Sequence, residues 1–153
     1  MLTLTFQSAK DHHACSRNYQ KFAEFKGGDK EWGMDKPFPL LEVLENNGFD
    51  DALWALRCCE PQEEQDKLFR LFDCDCIERV LPLFEKEFPE DKRLRYIIEV
   101  ARRLANGEAT QSELNAAWAD DWADAWYVAR YVAGADEREW QVKHFKEMLS
   151  KRI

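Results

Sequence analysis

The sequence lacks the features of a membrane or secreted protein. No apolar run is long enough to span a bilayer, and Met1–Phe6 has neither a basic start nor the long apolar stretch of a secretory signal. Basic residues are also outnumbered: 22 lysines and arginines stand against 30 aspartates and glutamates, a net charge of −8. This balance argues against direct binding to nucleic acid or to an anionic membrane. We therefore expect a soluble, cytoplasmic protein that binds neither.

Catalytic signatures are missing as well. The sequence has no glycine-rich phosphate loop, no G-x-S-x-G elbow, no HExxH and no Cys/His catalytic spacing. Its histidines form no chelating face, because His12 and His13 are adjacent and His144 is isolated near the C-terminus. These absences argue against an enzyme, and we expect no catalytic residue and no cofactor.

The cysteines are odd in number and closely paired, so a zinc site has to be weighed. Zinc sites favour Cys-x2-4-Cys pairs on loops or knuckles. The spacings here are Cys-Cys and Cys-Asp-Cys within helical patterns, where neighbouring side chains point in different directions. We therefore expect no metal and predict that the cysteines fill the core of a protein in a reducing compartment. They are Cys15, Cys58, Cys59, Cys74 and Cys76.

Periodicity predicts an all-α fold, a compact single-domain bundle of about seven helices with short connections over residues 1–153. Residues 1–10 could form an extended arm, and no useful strand alternation follows residue 6. Pro82 is expected to kink or end its helix. The predicted helices run from Ser8 to the Gly27-Gly28 pair, from Pro39 to Asn46, over 51–59 with Asp50 as cap, over 62–81, from the Asp91 cap to Ala105, from Thr110 to Ala133, and from Asp136 onward.

Three tryptophans lie at i, i+4 and i+8 on the helix that follows the capping box Thr110-x-x-Glu113. An aromatic stripe at this spacing is usually core. Its slow drift around the helix also allows Trp126 to reach the surface as an anchor for a partner protein, or for a second copy in a homodimer. The three residues are Trp118, Trp122 and Trp126.

Asp121 lies on the same apolar face. Burying an unpaired carboxylate there would cost roughly several kcal/mol of folding free energy. Its expected partners are Arg95 and Arg102, which flank Glu99 on the preceding helix. We predict a structural ion-pair network that also includes Asp91. A catalytic role for Asp121 is the alternative, although no second acid, metal set or nucleophile is evident nearby.

Acidic residues dominate one stretch. Between Arg103 and Arg130 the chain has no basic residue. Such a run is usually a solvated face, but it could also attract the basic surface of a partner, such as the nucleic-acid channel of a nuclease. We predict that Asp120, Asp124, Trp126 and Glu113 face the partner. The five carboxylates of the stretch are Glu108, Glu113, Asp120, Asp121 and Asp124.

Four short motifs carry a family resemblance: RVLPLFE at 79–85, PEDKRLR at 89–95, IEVARR at 98–103 and NGE at 106–108. Residues 52–133 resemble a family of helical immunity proteins of bacterial polymorphic-toxin systems, with similar proteins in phage genomes. That family has a Pro-x-Asp-x-Arg-Pro-Arg junction followed by Ile-Glu, a helix ending in Gly-Glu, and an alanine-rich helix.

Agreement with the family pattern is direct at Asp91, Arg93, Arg95 and Glu99, which have the character of a helix cap and an ion-pair scaffold. Leu94 replaces the family's proline, and the alanine-rich helix here carries the tryptophans. The resemblance implies a small, non-enzymatic protein of the bacterial host cell that binds and neutralises a protein partner, whether toxin, nuclease or defence effector.

Three alternatives to a toxin-neutralising inhibitor stay open from the sequence. One is a phage anti-defence protein of the anti-CRISPR type, whose acidic face would block the nucleic-acid-binding surface of an effector complex. A second is a small helical enzyme that uses Asp121 with Arg95 or Arg102. The third is a zinc-stabilised module built on the cysteines.

Overall fold

The computed structural model describes residues 1–117 and 135–151, and these are predominantly α-helical. The predicted all-α class is confirmed. Residue contacts divide the chain into two compact units, residues 1–65 with the chain from Phe145 onward, and residues 66–144. The expectation of a single domain stays a prediction. The helices of the described residues are α1 Phe6–Asp11, α2 Ser16–Phe25, α3 Asp29–Trp32, α4 Leu40–Asn47, α5 Phe49–Ala55, α6 Gln62–Glu87, α7 Arg93–Ala105, α8 Gln111–Ala117 and α9 Ala135–Ser150.

The N-terminal arm is only partly extended. Strand β1, Thr3–Leu4, pairs antiparallel with β2, Phe38–Pro39. Helix α1 then begins at Phe6, because Thr5 and Ser8 form a capping box in which each side chain accepts a hydrogen bond from the other's backbone N–H. The prediction of an arm over residues 1–10 is therefore wrong beyond residue 5.

The predicted first helix is two helices. His13 adopts φ 59°, its N–H donates to the carbonyl of Lys10, and the N–H of Ala14 donates to that of Ala9. These two bonds close α1 in a Schellman motif, a position that glycine usually takes. Histidine, unlike glycine, does not mark a helix end in a sequence. The prediction of one helix from Ser8 to Gly27 was therefore wrong.

Two further boundaries differ from the prediction. Helix α5 begins after Gly48, not Asp50, and gives way after Ala55 to a 3₁₀ helix, Leu56–Cys58. Helix α6 continues through Pro82 to Glu87, so the proline does not end it. The helices predicted from Pro39 to Asn46 and from Asp91 to Ala105 correspond to α4 and α7. Their ends agree with the structure to within about two residues, the usual uncertainty of helix ends.

The core of the first unit is largely aromatic. Phe6, Phe22 and Phe38 are buried, with ring centroids 4.8–6.0 Å apart. At the C-terminal end of the chain, the buried Phe145 meets Phe49 edge-on at 5.6 Å. These contacts join α1, α2, β2, α5 and the end of α9 within the unit.

The core of the second unit is aliphatic and holds α6, α7 and α8 together. Leucine, isoleucine and valine side chains of the three helices interdigitate around Cys74. Val80, Phe84, Leu104 and Ala117 pack against this cluster while partly exposed. The cluster consists of Cys74, Ile77, Leu81, Leu94, Ile97, Ile98, Val100, Ala101 and Leu114.

Three cysteines fill the core as predicted. Cys58, Cys59 and Cys74 are buried, and burial raises the pKa of the Cys58 thiol to about 11 and that of Cys74 to about 12. Their thiols therefore stay protonated at neutral pH. Cys15 is exposed, which corrects the prediction for that residue, and Cys76 is half-buried. All five are free thiols.

Candidate partner-binding surface

The turn between α6 and α7 is organised by Asp91. Its carboxylate accepts hydrogen bonds from the backbone N–H and the Nε–H of Arg93, each at 3.0 Å. Because both bonds favour the ionised carboxylate, with the side-chain bond the larger effect, the pKa of Asp91 falls from 3.8 to about 2. The N-cap of α7 is Lys92, which makes no side-chain capping bond, so the prediction of Asp91 as the cap was wrong by one residue. Asp91 instead binds the first helical N–H and pairs with the side chain of Arg93.

The ion pair between Arg95 and Glu85 ties the start of α7 to the end of α6. The guanidinium donates two hydrogen bonds to the carboxylate, Nε to Oε1 at 3.0 Å and Nη2 to Oε2 at 2.9 Å. This bidentate geometry fixes the orientation of both side chains. The hydrogen bonds from Arg95 lower the pKa of Glu85.

Three large apolar side chains at neighbouring positions in the sequence are exposed. Leu83 near the end of α6 is 63% exposed, and Phe88 in the turn and Tyr96 on the first turn of α7 are each 57% exposed. We call these three residues, with the Glu85–Arg95 pair, the junction surface. Exposed aromatic and aliphatic side chains are a feature of protein–protein interfaces.

Arg102 is the centre of a second charged cluster in the same unit. Its guanidinium donates to Asp75, at 2.6 Å, and to Glu78. Burial opposes its charge, but these two hydrogen bonds outweigh that effect and raise the pKa of Arg102. The other oxygen of Asp75 lies 2.6 Å from Nε2 of His144, so this carboxylate joins α6, α7 and α9.

Aromatic rings enclose this cluster. His144 stacks on Trp140, with ring centroids 4.6 Å apart, and faces Phe72 at 6.2 Å. Arg79 covers Trp140 at 4.1 Å and pairs with Glu137 at 2.9 Å. Sequence reasoning missed this group and dismissed His144. The i, i+4 spacing of Trp140 and His144 was its only local signal.

In the described residues, Arg95 and Arg102 have partners that were not predicted, while their predicted pairing with Asp121 stays a prediction. Arg95 and Arg102 pair with carboxylates of α6, while Glu99 is an exposed residue of α7. Which side chains of α6 and α7 face each other depends on tertiary packing, and the local sequence pattern does not show it. Asp121, the partner expected from the following helix, lies outside the described residues.

The predicted partner-facing residues are described only at Glu113. Its carboxylate accepts hydrogen bonds from the backbone N–H and the hydroxyl of Thr110, and the Thr110 hydroxyl accepts from the N–H of Glu113. The capping box is therefore confirmed, and the hydrogen bonds from Thr110 lower the pKa of Glu113. Asp120, Asp124 and Trp126, like Trp118 and Trp122, lie outside the described residues.

Two other properties concern candidate functions. Within residues 1–117 and 135–151, no three histidine, cysteine or carboxylate side chains are grouped as metal ligands. No helix in those same ranges is both long and apolar enough to cross a membrane.

The stability of the two arginine clusters provides a test of this geometry. We expect Arg102→Ala to lower the free energy of unfolding by about 1–2 kcal/mol, because it leaves Asp75 and Glu78 without their guanidinium. Arg95→Ala should leave the urea midpoint nearly unchanged, since that pair is solvated. Urea denaturation followed by circular dichroism measures both. Equal losses in the two variants would contradict the assignment.

The hydrogen bonds from Arg93 to Asp91 predict a pH dependence of stability. The folded-state pKa of Asp91, about 2, lies below the ordinary 3.8, so ionised Asp91 stabilises the folded protein above about pH 4. This contribution is lost as the pH falls through about 2. The stability difference between the protein and Asp91→Asn should therefore be constant from neutral pH to about 4 and shrink below it. A difference that grows on acidification would contradict this role of the Asp91–Arg93 hydrogen bonds.

Comparison with known families identifies the segment that carries these features. Residues 59–125 match the family model described as Imm-5 like putative immunity protein, which confirms the family resemblance for that segment. The match covers less than half of the 153 residues and includes all of α6, α7 and α8 as described above. The chain has no significant match among curated proteins or among solved structures.

Proposed function

We propose that this protein is a non-enzymatic inhibitor that neutralises a protein toxin, such as a nuclease, by binding it directly in the bacterial cytoplasm. The proposal rests on the observation that the family match and the exposed apolar side chains fall in the same part of the sequence. The segment that matches the immunity-protein family also carries the exposed apolar groups of the junction surface. The matched segment therefore holds both the similarity to immunity proteins and the exposed groups proposed to contact a partner.

The junction surface has the chemistry of a contact surface. Leu83, Phe88 and Tyr96 expose apolar area to water. A partner that covers this area would remove it from water, which stabilises the complex. The bidentate Glu85–Arg95 pair joins the ends of the same two helices, holds two charges in fixed positions and requires no reordering on binding. Tyrosine is among the residues that most often dominate interface energies, and its hydroxyl adds a polar contact.

The acidic stretch gives the expected sign of the partner's charge. Five carboxylates and no basic residue lie between Arg103 and Arg130, in a protein of net charge −8. Such a field accelerates association with a basic protein surface. A nuclease presents this kind of surface where it holds nucleic acid. We include Asp120, Asp124, Trp126 and Glu113 in the proposed contact region.

Co-expression tests the function in cells. Each gene flanking this one would be induced in a bacterial host, alone and with the inhibitor. We expect one neighbour to arrest growth and the inhibitor to restore it, with the two proteins co-purifying. A neighbour that arrests growth regardless of the inhibitor would contradict the proposal for that pair. Restored infection by a phage otherwise blocked by a defence complex, with no toxic neighbour, would instead support the anti-defence alternative.

A further inference from the structure

The first unit contains a half-open cavity of about 270 Å³ that lies outside the family-matched segment in sequence. Its wall is aromatic. A cavity of about 150 Å³ lined by apolar side chains is large enough to bind benzene, so this one has room for a molecule with two fused rings. The rings that line it belong to Phe6, Tyr19, Phe22, Phe38 and Trp54.

The wall of the cavity is preorganised. Phe6 lies 5.0 Å from Phe38 and 5.4 Å from Tyr19, centroid to centroid, and Phe22 lies 4.8 Å from Phe38. The Tyr19 hydroxyl donates to Asp29 at 2.7 Å, which holds that ring in place. Because neighbouring rings support one another, the cavity does not need to form at the moment of binding.

One side of the cavity is polar and acidic. Asp51 accepts hydrogen bonds from Asn18, at 2.5 Å, and from Asn47, at 2.8 Å. These two bonds fix the carboxylate, which has about four acceptor positions in all. Asp50 also lines the cavity. A ligand is therefore met by a positioned carboxylate that can accept a further hydrogen bond.

No lysine, arginine or histidine is among the described residues that line the cavity. Lys10 approaches the Tyr19 ring, at 5.1 Å from its centroid, but its ammonium is paired with Asp29 at 3.0 Å. An anionic ligand would thus meet the Asp51 carboxylate, with no basic side chain among the described residues of the wall. A cationic ligand would meet both a carboxylate and the faces of aromatic rings.

We propose that this cavity binds a small planar aromatic molecule that carries a primary ammonium group. The ring system lies among the aromatic side chains, and the ammonium donates to the carboxylate of Asp51. The site is separate from the proposed inhibitor function in its residues and in its chemistry, so the two can be tested independently.

Three indoles that differ in charge test the proposal: tryptamine, 3-methylindole and indole-3-acetate. Calorimetric titration at neutral pH should show tryptamine binding about tenfold more tightly than 3-methylindole, the factor expected for one charge-assisted hydrogen bond. Indole-3-acetate should bind most weakly. Equal affinities, or no binding of tryptamine up to about 1 mM, would overturn the proposal.

Two variants locate the site. Asp51→Asn should remove the preference for tryptamine and leave 3-methylindole within about threefold of its affinity for the unchanged protein, because the charge is lost while the aromatic wall remains. The new NH2 group cannot accept a hydrogen bond, so Asn18 or Asn47 must turn its amide oxygen toward it. Ala14→Phe places a ring in the cavity and should abolish binding of both. Circular dichroism checks that each variant is folded. If Ala14→Phe does not fold, Asp51→Asn decides alone, and a retained tryptamine preference there would overturn the assignment.

Discussion

Leu114→Ala is expected to lower the free energy of unfolding by about 2–5 kcal/mol. Leu114 is 1% exposed and is the α8 residue in the aliphatic cluster of the second unit. Truncation removes buried apolar area and leaves a cavity that the neighbouring isoleucines of α7 cannot fill without moving. Because Leu114 is the buried residue of α8 in this cluster, its loss should also weaken the packing of α8 against α7.

Leu83→Ala is the matched control for that experiment. It makes the same chemical change in α6 at a side chain that is 63% exposed. Little buried area is lost there, so the change should be below about 0.5 kcal/mol. Urea denaturation of both variants, followed by circular dichroism and tryptophan fluorescence, measures the difference. Similar losses in the two variants would show that α8 does not pack as described.

Phe88→Ala is expected to weaken binding of the neutralised partner by about 30-fold or more, the effect of losing one interface anchor. Phe88 lies in the α6–α7 turn, where its ring meets that of Phe84 at 5.1 Å and more than half of its surface is exposed. A partner that covers the junction surface would desolvate this ring. The stability of the free protein should change little, because the exposed part of the ring makes few contacts in the absence of the partner.

Phe25→Ala provides the control for the binding experiment. Phe25 is 55% exposed, almost as much as Phe88, and it ends α2 outside the family-matched segment. Its removal should change the dissociation constant by less than about threefold. Surface plasmon resonance with the partner on the chip measures both variants. An equal loss of affinity at Phe25 and Phe88 would contradict the placement of the contact region.

Much of the fold could be predicted because its signals are local. Proline and glycine mark the limits of α4, and the Thr110–Glu113 capping box marks the start of α8. Asp91 marks the turn before α7, one residue ahead of the N-cap Lys92. The break at His13 could not be predicted, since a left-handed histidine has no distinctive sequence pattern. Pro82 misled because an exposed proline can be accommodated inside a long helix at the cost of one hydrogen bond.

The candidate site was predicted in part. The motif at 89–95 directed attention to Asp91 and Arg95, and both are ordered at the α6–α7 junction. The partners of Arg95 and Arg102 were missed because they lie 10 to 27 positions earlier, on a helix whose register against α7 is set by packing. The cluster of Asp75 and His144 spans 69 positions, which no local pattern can reveal.

The central claim is that this protein neutralises its partner by stoichiometric binding and not by catalysis. A titration of the toxic neighbour's activity against increasing inhibitor, read after a short and a long incubation, tests it most directly. The account predicts that activity falls in proportion to added inhibitor and reaches its minimum near a fixed molar equivalence, at the same ratio for both times. Loss of activity at far lower ratios that deepens with time would show turnover and contradict the account, as would undiminished activity at large excess.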